Sequence, residues 1–151
     1  MFKKILVPLD GSELSESALV HVFDIATDYS NLEVILLRVR EPLDPNVIGT
    51  LDAKIAVELD EAYREEAASY LDGIVEKLKE KGINARAEVL SGNPADEIIK
   101  YSQKNGIDLI IMSTRGRSGI SRLVFGSVAE KVIRNSTVPV LIKPPAKPVK
   151  G

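Results

Sequence analysis

The sequence predicts an α/β protein built on one doubly wound, open parallel sheet of five strands, with helices on both faces. Strand-like and helix-like segments alternate along the whole chain in the order β-α-β-α-β-α-β-α-β. Most of the strand-like segments are almost continuously apolar, as strands covered on both faces are. Neither an internal repeat nor a linker divides the 151 residues, a length typical of one domain. We therefore expect a single domain over 1–143, followed by a flexible Pro/Lys tail over 144–151.

Five segments have the apolar, β-rich composition of strands. The third alternates apolar and polar residues, which places it near an edge of the sheet, and the fourth is the most apolar, which predicts an interior position. The five are Lys3–Leu9, Leu32–Val39, 84–91, Ile107–Ser113 and Thr137–Lys143.

Four helices are predicted between these strands. Ser12 is the expected N-cap of the first, and Asn93 with Pro94 begins the third, which Gly106 ends. The second, over Leu51–Lys81, is closed by Gly82. Its apolar stripe comprises Leu51, Ile55, Leu59, Ala62, Tyr70, Ile74 and Leu78, and the last helix carries Val124, Val128 and Val132.

Composition excludes several classes of function. A net charge of −2 gives no global field for nucleic acid or a membrane surface. The absence of cysteine excludes disulfides and thiolate metal sites, and with a single histidine, His21, a zinc site or a Ser-His-Asp triad is not expected. No signal peptide or membrane-spanning run is evident, and we expect a cytoplasmic protein. The acid-rich face formed by Glu58, Asp60, Glu61, Glu65 and Glu66 is interpreted as a solvated helix face.

Two polar, turn-rich segments follow the first and fourth strands, and they are expected to meet at the crevice of the doubly wound sheet. The second of them contains Gly116 and Gly119, then Gly126 and Ser127 at the start of the last helix. Free N–H groups there and the helix dipole favour an anion. Positive charge is available from Arg115, Arg117 and Arg122. The alternative, a solvated loop with a Gly-Ser cap, is equally compatible with these residues, and no P-loop motif occurs.

These segments resemble the universal stress protein family. Gly116, nine intervening residues and then Gly126-Ser127 are similar to the latter half of that family's G-x2-G-x9-G-[ST] signature. The stretches "ILVPLDGSELSESAL", "VILLRV" and "GSVAEKVIRNSTVPVLI" extend the similarity over nearly the whole chain. The resemblance implies a strand order of 3-2-1-4-5 and a homodimer formed through the last strand, Val138–Lys143. It also implies that an adenine nucleotide, ATP or AMP, binds in the crevice, with Mg²⁺ as a possible companion of the phosphates.

The resemblance also assigns residues to the nucleotide site. Pro8 and Asp10 would line the adenosine part, and Val39 would touch the adenine. The ribose and phosphates would be lined by Met112, Ser113, Arg115, Gly116, Gly126, Ser127 and Val128. Ser113 departs from the signature, which has glycine at that position, so a Cβ and a hydroxyl stand where bare backbone would approach the ligand. Asp10 has an alternative role as a turn former, because Asp before Gly commonly bonds local N–H groups.

The function expected from this sequence is that of a stress-responsive sensor or regulator. We find no general base, paired carboxylates or Walker lysine in the crevice segments, so the protein is not expected to be an enzyme. Two alternatives remain open. One is a dimerisation and interaction module that binds no nucleotide, and the other is a slow ATPase or adenylyl-transferring enzyme of the same fold.

Overall fold

The computed structural model describes residues 2–28, 30–114 and 126–144. The strands are β1 (Lys4–Pro8), β2 (Glu33–Arg40), β3 (Asn84–Ser91), β4 (Leu109–Ser113) and β5 (Val140–Lys143). The helices are α1 (Glu13–Glu16), α2 (Leu19–Asp28), α3 (Pro45–Ile48), α4 (Ala53–Glu80), α5 (Pro94–Lys104) and α6 (Ser127–Asn135). None of the helices in this part of the chain is long and apolar enough to cross a membrane.

All five strands run parallel in one sheet, in the order β3-β2-β1-β4-β5. The predicted fold class and strand order are confirmed. The alternating strand β3 lies at an edge, and the apolar strand β4 lies inside the sheet between β1 and β5, as expected from their patterns. The register places Pro8 beside Leu37 and Ser113 beside Lys143 at the carboxyl ends of the strands.

Two apolar layers cover the two faces of the sheet, because successive side chains of a strand point to opposite sides. The first layer joins β1, β2 and β4 to α2 and α4, with Val7, Leu36, Ile111 and Leu71 almost fully buried. The second layer joins the same strands to α5 and α6 through residues such as Ile110. Further members of the second layer are Leu6, Ile35, Leu37, Ile98 and Val132.

Helix ends follow the predicted capping chemistry. The side chain of Ser12 accepts a hydrogen bond from Ser15 N at 3.1 Å, and that of Asn93 accepts one from Asp96 N at 3.1 Å. Gly82 follows the end of α4 with φ of +80°, a conformation that glycine adopts without strain. These three positions therefore fix where the elements begin and end as the sequence indicates.

The structure corrects three element predictions. The first helix is two helices, α1 and α2, and the segment predicted as the loop after β2 contains the short helix α3. The apolar stripe of α4 is wrong in its first half. Ile55 is 50% exposed, and the buried residues of this helix begin at Ala67. The first half of α4 has no layer of the core beside it, since the strands are at most eight residues long and the helix has 28.

The last predicted element also differs in extent. Strand β5 begins at Val140, three residues later than expected, after a turn in which Ser136 Oγ donates to Val138 O at 2.7 Å. Val140 and Ile142 pack against the second layer, while Leu141 packs against the first. Both sides of this edge strand thus contribute to the protomer's own core.

Candidate functional site

The crevice lies between the neighbouring strands β1 and β4, where the chain changes sides of the sheet. After β1 the chain enters α1 and α2, and this segment packs on the first layer through Ala18, between the two helices, and Val22 in α2. After β4 it reaches α6, which packs on the second layer through Ala129 and Val132. The two connections separate at the carboxyl ends of the strands, and such a switch point is where doubly wound sheets bind ligands.

Asp10 organises the turn that follows β1. Its Oδ1 accepts hydrogen bonds from Ser12 N at 2.9 Å and from Ser12 Oγ at 2.6 Å. Asp10 N in turn donates to Ser15 Oγ at 3.2 Å. The turn-forming role that the sequence left open is therefore present. The side chain of Asp10 is also exposed at this edge of the sheet, so the turn holds a carboxylate beside the crevice.

Arg38 is a site residue that sequence reasoning missed. Gly11 has φ of +91°, and a Cβ added there would lie 3.4 Å from Arg38 Nη1. The same guanidinium stands over the ring of Tyr70, 5.3 Å from its centroid. Burial, followed by the nearby carboxylate of Glu16, raises the pKa of Tyr70 to about 12. The sequence contained one signal for this role, because Arg38 interrupts an apolar run in β2. A charged side chain in such a strand needs a partner.

The predicted residues on the strands occupy the carboxyl ends as expected. Pro8 ends β1, and Val39 is the penultimate residue of β2, where it packs against the edge of the second layer. Met112 is 5% exposed in that same layer, whereas Ser113 ends β4 and is half-buried. Val39 and Met112 thus share the face of the sheet on which α6 packs.

The N-terminus of α6 lies at the same edge of the sheet. Val140, the residue that begins β5 after α6, pairs with Ile110 near the start of β4, so α6 runs antiparallel to the strands. Gly126 is the N-cap residue, and glycine brings no side chain that could cap the helix. By contrast, α3, α4 and α5 are capped by Asp44, Asp52 and Asn93. Ser127 is exposed and Val128 half-buried in the first turn, whose N–H groups have no partner within the helix and favour an anion.

Thr114 is a second residue that the sequence analysis did not single out. It follows Ser113 and is 1% exposed, with its backbone N donating to Lys143 O at 3.2 Å. Its hydroxyl has no hydrogen-bond partner within the described part of the chain. An unsatisfied buried hydroxyl costs about 1–3 kcal/mol, which marks this position as unusual. No pattern in the sequence distinguishes it from an ordinary strand-end threonine.

Arg115 and Gly116, with Gly119, Arg117 and Arg122, lie outside the described residues. Within residues 2–28, 30–114 and 126–144, no group of three or more His, Cys, Asp or Glu residues is arranged to hold a metal ion. His21, in α2, is half-buried.

Comparison with known proteins shows the family of the chain. The family model described as "Universal stress protein family" matches residues 1–144. The chain belongs to the universal stress protein family. A relative, universal stress protein MJ0531 of Methanocaldococcus jannaschii, is 38% identical over 149 residues that cover 97% of this chain and 85% of the relative.

Solved structures of the family have the same fold. The structure of MJ0577, also from Methanocaldococcus jannaschii, superposes with a TM-score of 0.82 at 35% identity, covering 97% of this chain and 99% of that one. A universal stress protein family protein from Arabidopsis thaliana, solved with AMP bound, has a TM-score of 0.68 at 17% identity. That alignment covers 95% of this chain and 92% of the other, and at this identity it concerns the fold alone.

Proposed function

We propose that this chain binds an adenine nucleotide, ATP or AMP, in the crevice between β1 and β4 and acts as a stress-responsive sensor or regulator. The observation that carries the proposal is the N-terminus of α6, which begins with a glycine N-cap, Gly126, at the edge of the sheet where the switch point lies. The N–H groups of its first turn have no partner within the helix and suit a phosphate, which is the most strongly charged part of a nucleotide.

Each end of the ligand has residues of matching chemistry. The apolar side chains of Val39 and Met112 offer a surface for the adenine and ribose on the side of the second layer. Ser127 supplies a hydroxyl at the first turn of α6, and Asp10 supplies a carboxylate able to accept from ribose hydroxyl groups. Adenine nucleotides are found in other proteins of this fold, as in the AMP-bound protein from Arabidopsis thaliana. Arg115 and Gly116 complete the proposed phosphate side.

Mg²⁺ would be held mainly by the phosphates and by water. The described residues offer isolated carboxylates near the crevice, such as Asp10, rather than a cluster of metal ligands. Magnesium commonly binds proteins in this way, through one or two carboxylates together with substrate phosphates. Hydrolysis is not part of the proposal.

A nucleotide-free interaction module of the same fold is the second candidate. Ser113 favours it, because a side chain stands where the family signature has glycine. The hydrogen bonds between Asp10 and Ser12 also favour the interaction module, since one oxygen of the Asp10 carboxylate already accepts two of them.

Assembly as a homodimer through Val138–Lys143 is part of the proposal. An open edge strand leaves N–H and C=O groups unpaired, and two copies of β5 related by a two-fold axis would satisfy them. Because Val140, Leu141 and Ile142 all contribute to the protomer's own core layers, this contact would depend largely on the backbone. Sedimentation at micromolar concentration tests it, and a monomer would contradict it.

Analysis of bound nucleotide tests the function most simply. Protein purified without added nucleotide is denatured, and the released small molecules are separated and identified by their absorbance. The chain has no tryptophan and four tyrosines, so bound adenine would raise the 260/280 nm ratio of the native protein clearly. Co-purified adenine nucleotide is expected. Protein that neither carries nucleotide nor takes up ATP on dialysis would support the interaction module instead.

A further inference from the structure

The first half of α4 and the short helix α3 carry most of the exposed apolar side chains of the described chain. Seven large hydrophobic residues are exposed in the described part of the chain, and five of them fall between positions 47 and 63. They are Val47, Ile48, Ile55, Val57 and Tyr63, with exposed fractions between 40% and 57%. Scattered apolar residues are ordinary on a surface, but a concentration of this kind marks an interaction site.

Part of this surface forms a groove at the carboxyl edge of the sheet. We define the α3–α4 groove, with a volume of about 400 Å³, by its apolar residues Pro42, Leu43, Ile48, Ala56 and Val57 and its polar residues Asp60, Glu61, Arg64 and Ser91. It lies beyond the ends of β2 and β3, and none of the proposed nucleotide-site residues lines it. Ile48 and Val57, on its two walls, are 40% and 57% exposed, so the groove is open rather than an enclosed ligand cavity.

The groove exists because α4 is longer than the sheet beneath it. Its 28 residues span about 42 Å at 1.5 Å per residue, whereas a strand of eight residues spans about 27 Å. All of the buried residues of α4 belong to its second half, from Ala67 to Leu78. The first half keeps a helical conformation and leaves Ile55 and Val57 exposed.

The charge around the groove specifies the partner. Residues 41–66 contain eight acidic and two basic residues, a net charge of −6 in a chain whose total is −2. Arg40 pairs with Asp60, but Glu61 lies exposed at the groove, beside Arg64. Glu58, Glu65 and Glu66 extend the negative field along the exposed helix. An apolar groove in an acidic field complements a segment that is apolar on one side and basic on the other.

We propose that the α3–α4 groove is a docking site for a basic amphipathic helix of another protein. The apolar face of that helix enters between Ile48 and Val57, and its lysine or arginine residues face Glu61 and the neighbouring acids. This is the helix-in-groove mode of recognition, in which side chains at helical spacing anchor in an apolar cleft. The proposal is independent of nucleotide binding, since the groove and the crevice share no proposed residue.

A model peptide tests this docking site. The probe is a fluorescein-labelled helix of about 14 residues, four turns, with leucines at helical spacing and lysines elsewhere. A second peptide has glutamate in place of each lysine. Fluorescence anisotropy with the full chain is expected to show saturable binding of the lysine peptide, weakened by salt, and far weaker binding of the glutamate peptide.

Three single variants locate the binding. Val57→Gln removes one apolar wall of the groove, and Glu61→Lys reverses a charge at its edge. Each substitution is expected to lower the affinity for the lysine peptide at least about fivefold. Val20→Gln on α2 is the matched control, because Val20 is 53% exposed and lies outside the groove, and it should leave the affinity unchanged. All three positions are exposed, so the variants should fold, which circular dichroism verifies.

Three results would overturn the proposal. Equal affinity of the full chain for the two peptides would show that charge does not select the partner. Equal affinity of all three variants for the lysine peptide would show that this peptide binds outside the groove. A wild-type dimer that Val57→Gln converts to a monomer in sedimentation would identify a second copy of this chain as the occupant of the groove.

Discussion

Arg38 covers Gly11, with its guanidinium carbon 3.5 Å from the position that a Cβ would take there. This contact joins the turn after β1 to β2, and through the ring of Tyr70 it reaches α4. The backbone of the Asp10 turn is therefore fixed from two directions, by its own Asp10–Ser12 hydrogen bonds and by an arginine from the neighbouring strand.

Gly11→Ala is expected to destabilise the protein by about 1–3 kcal/mol, because φ of +91° is strained for a residue with a Cβ. Denaturant unfolding measures this loss. Gly73→Ala is the matched control. Its Cβ would meet nothing within 4 Å, and alanine within α4 should stabilise by about 0.5–1 kcal/mol. Equal effects of the two substitutions would contradict the constraint at Gly11.

Tyr70 is expected to make stability depend on alkaline pH. Its pKa is about 12 in the folded protein, mainly through burial and then through Glu16, against about 10 in the unfolded chain. Its contribution is therefore fully present below pH 10 and is lost as the pH rises from 10 to 12. Tyr70→Phe keeps the ring beneath Arg38 but cannot ionise. Unfolding free energies measured between pH 9 and 12 should fall less steeply for the variant than for the wild type.

Thr114→Val is expected to affect the stability of the free protein and its affinity for ATP differently. Replacing an unsatisfied buried hydroxyl with a methyl group of similar size should leave stability unchanged or raise it by about 1 kcal/mol. If the hydroxyl finds its partner in the bound nucleotide or its water, the same variant will bind ATP several-fold more weakly. Thermal unfolding and calorimetric titration measure the two effects. A clear loss of stability would show that the hydroxyl is already satisfied in the free protein.

Ser113→Gly tests the departure from the family signature. We expect ATP binding to weaken by about 0.5–1.5 kcal/mol, the contribution of one hydrogen bond from the serine hydroxyl. Tighter binding would mean instead that the side chain crowds the site. An unchanged affinity, measured by calorimetry, would place Ser113 outside the nucleotide site.

Much of the fold could be predicted because local signals coincide with the global arrangement. Asn93 and Gly82 are strong markers of helix ends, and both act as such. The apolar runs of β1, β2 and β4 predict strands buried on both faces. The alternation of strands and helices then favours a parallel sheet. The strand order itself depended on the resemblance to a family, because no local pattern specifies which strands are neighbours.

The first half of α4 could not be predicted correctly, because apolar periodicity predicts a helix face but not what covers it. Ile55 lies on the predicted stripe, yet it is 50% exposed, and the buried residues of this helix begin at Ala67. At the site, the switch point and the α6 terminus could be predicted from the order of elements and from Gly126-Ser127. The contact of Arg38 with Gly11 and the buried hydroxyl of Thr114 could not, since both depend on side-chain placement across different elements.

Titration of Gly126→Val with ATP tests the central claim most directly. Gly126 has φ of −59° and ψ of 159°, a backbone conformation open to any residue, so valine would crowd the terminus of α6 without straining it. Calorimetry on nucleotide-free samples is expected to show ATP binding to the wild type and an affinity at least about tenfold lower for the variant, with both proteins folded. Equal affinities would contradict the phosphate site at Gly126, and a wild type that binds no ATP would contradict nucleotide binding altogether.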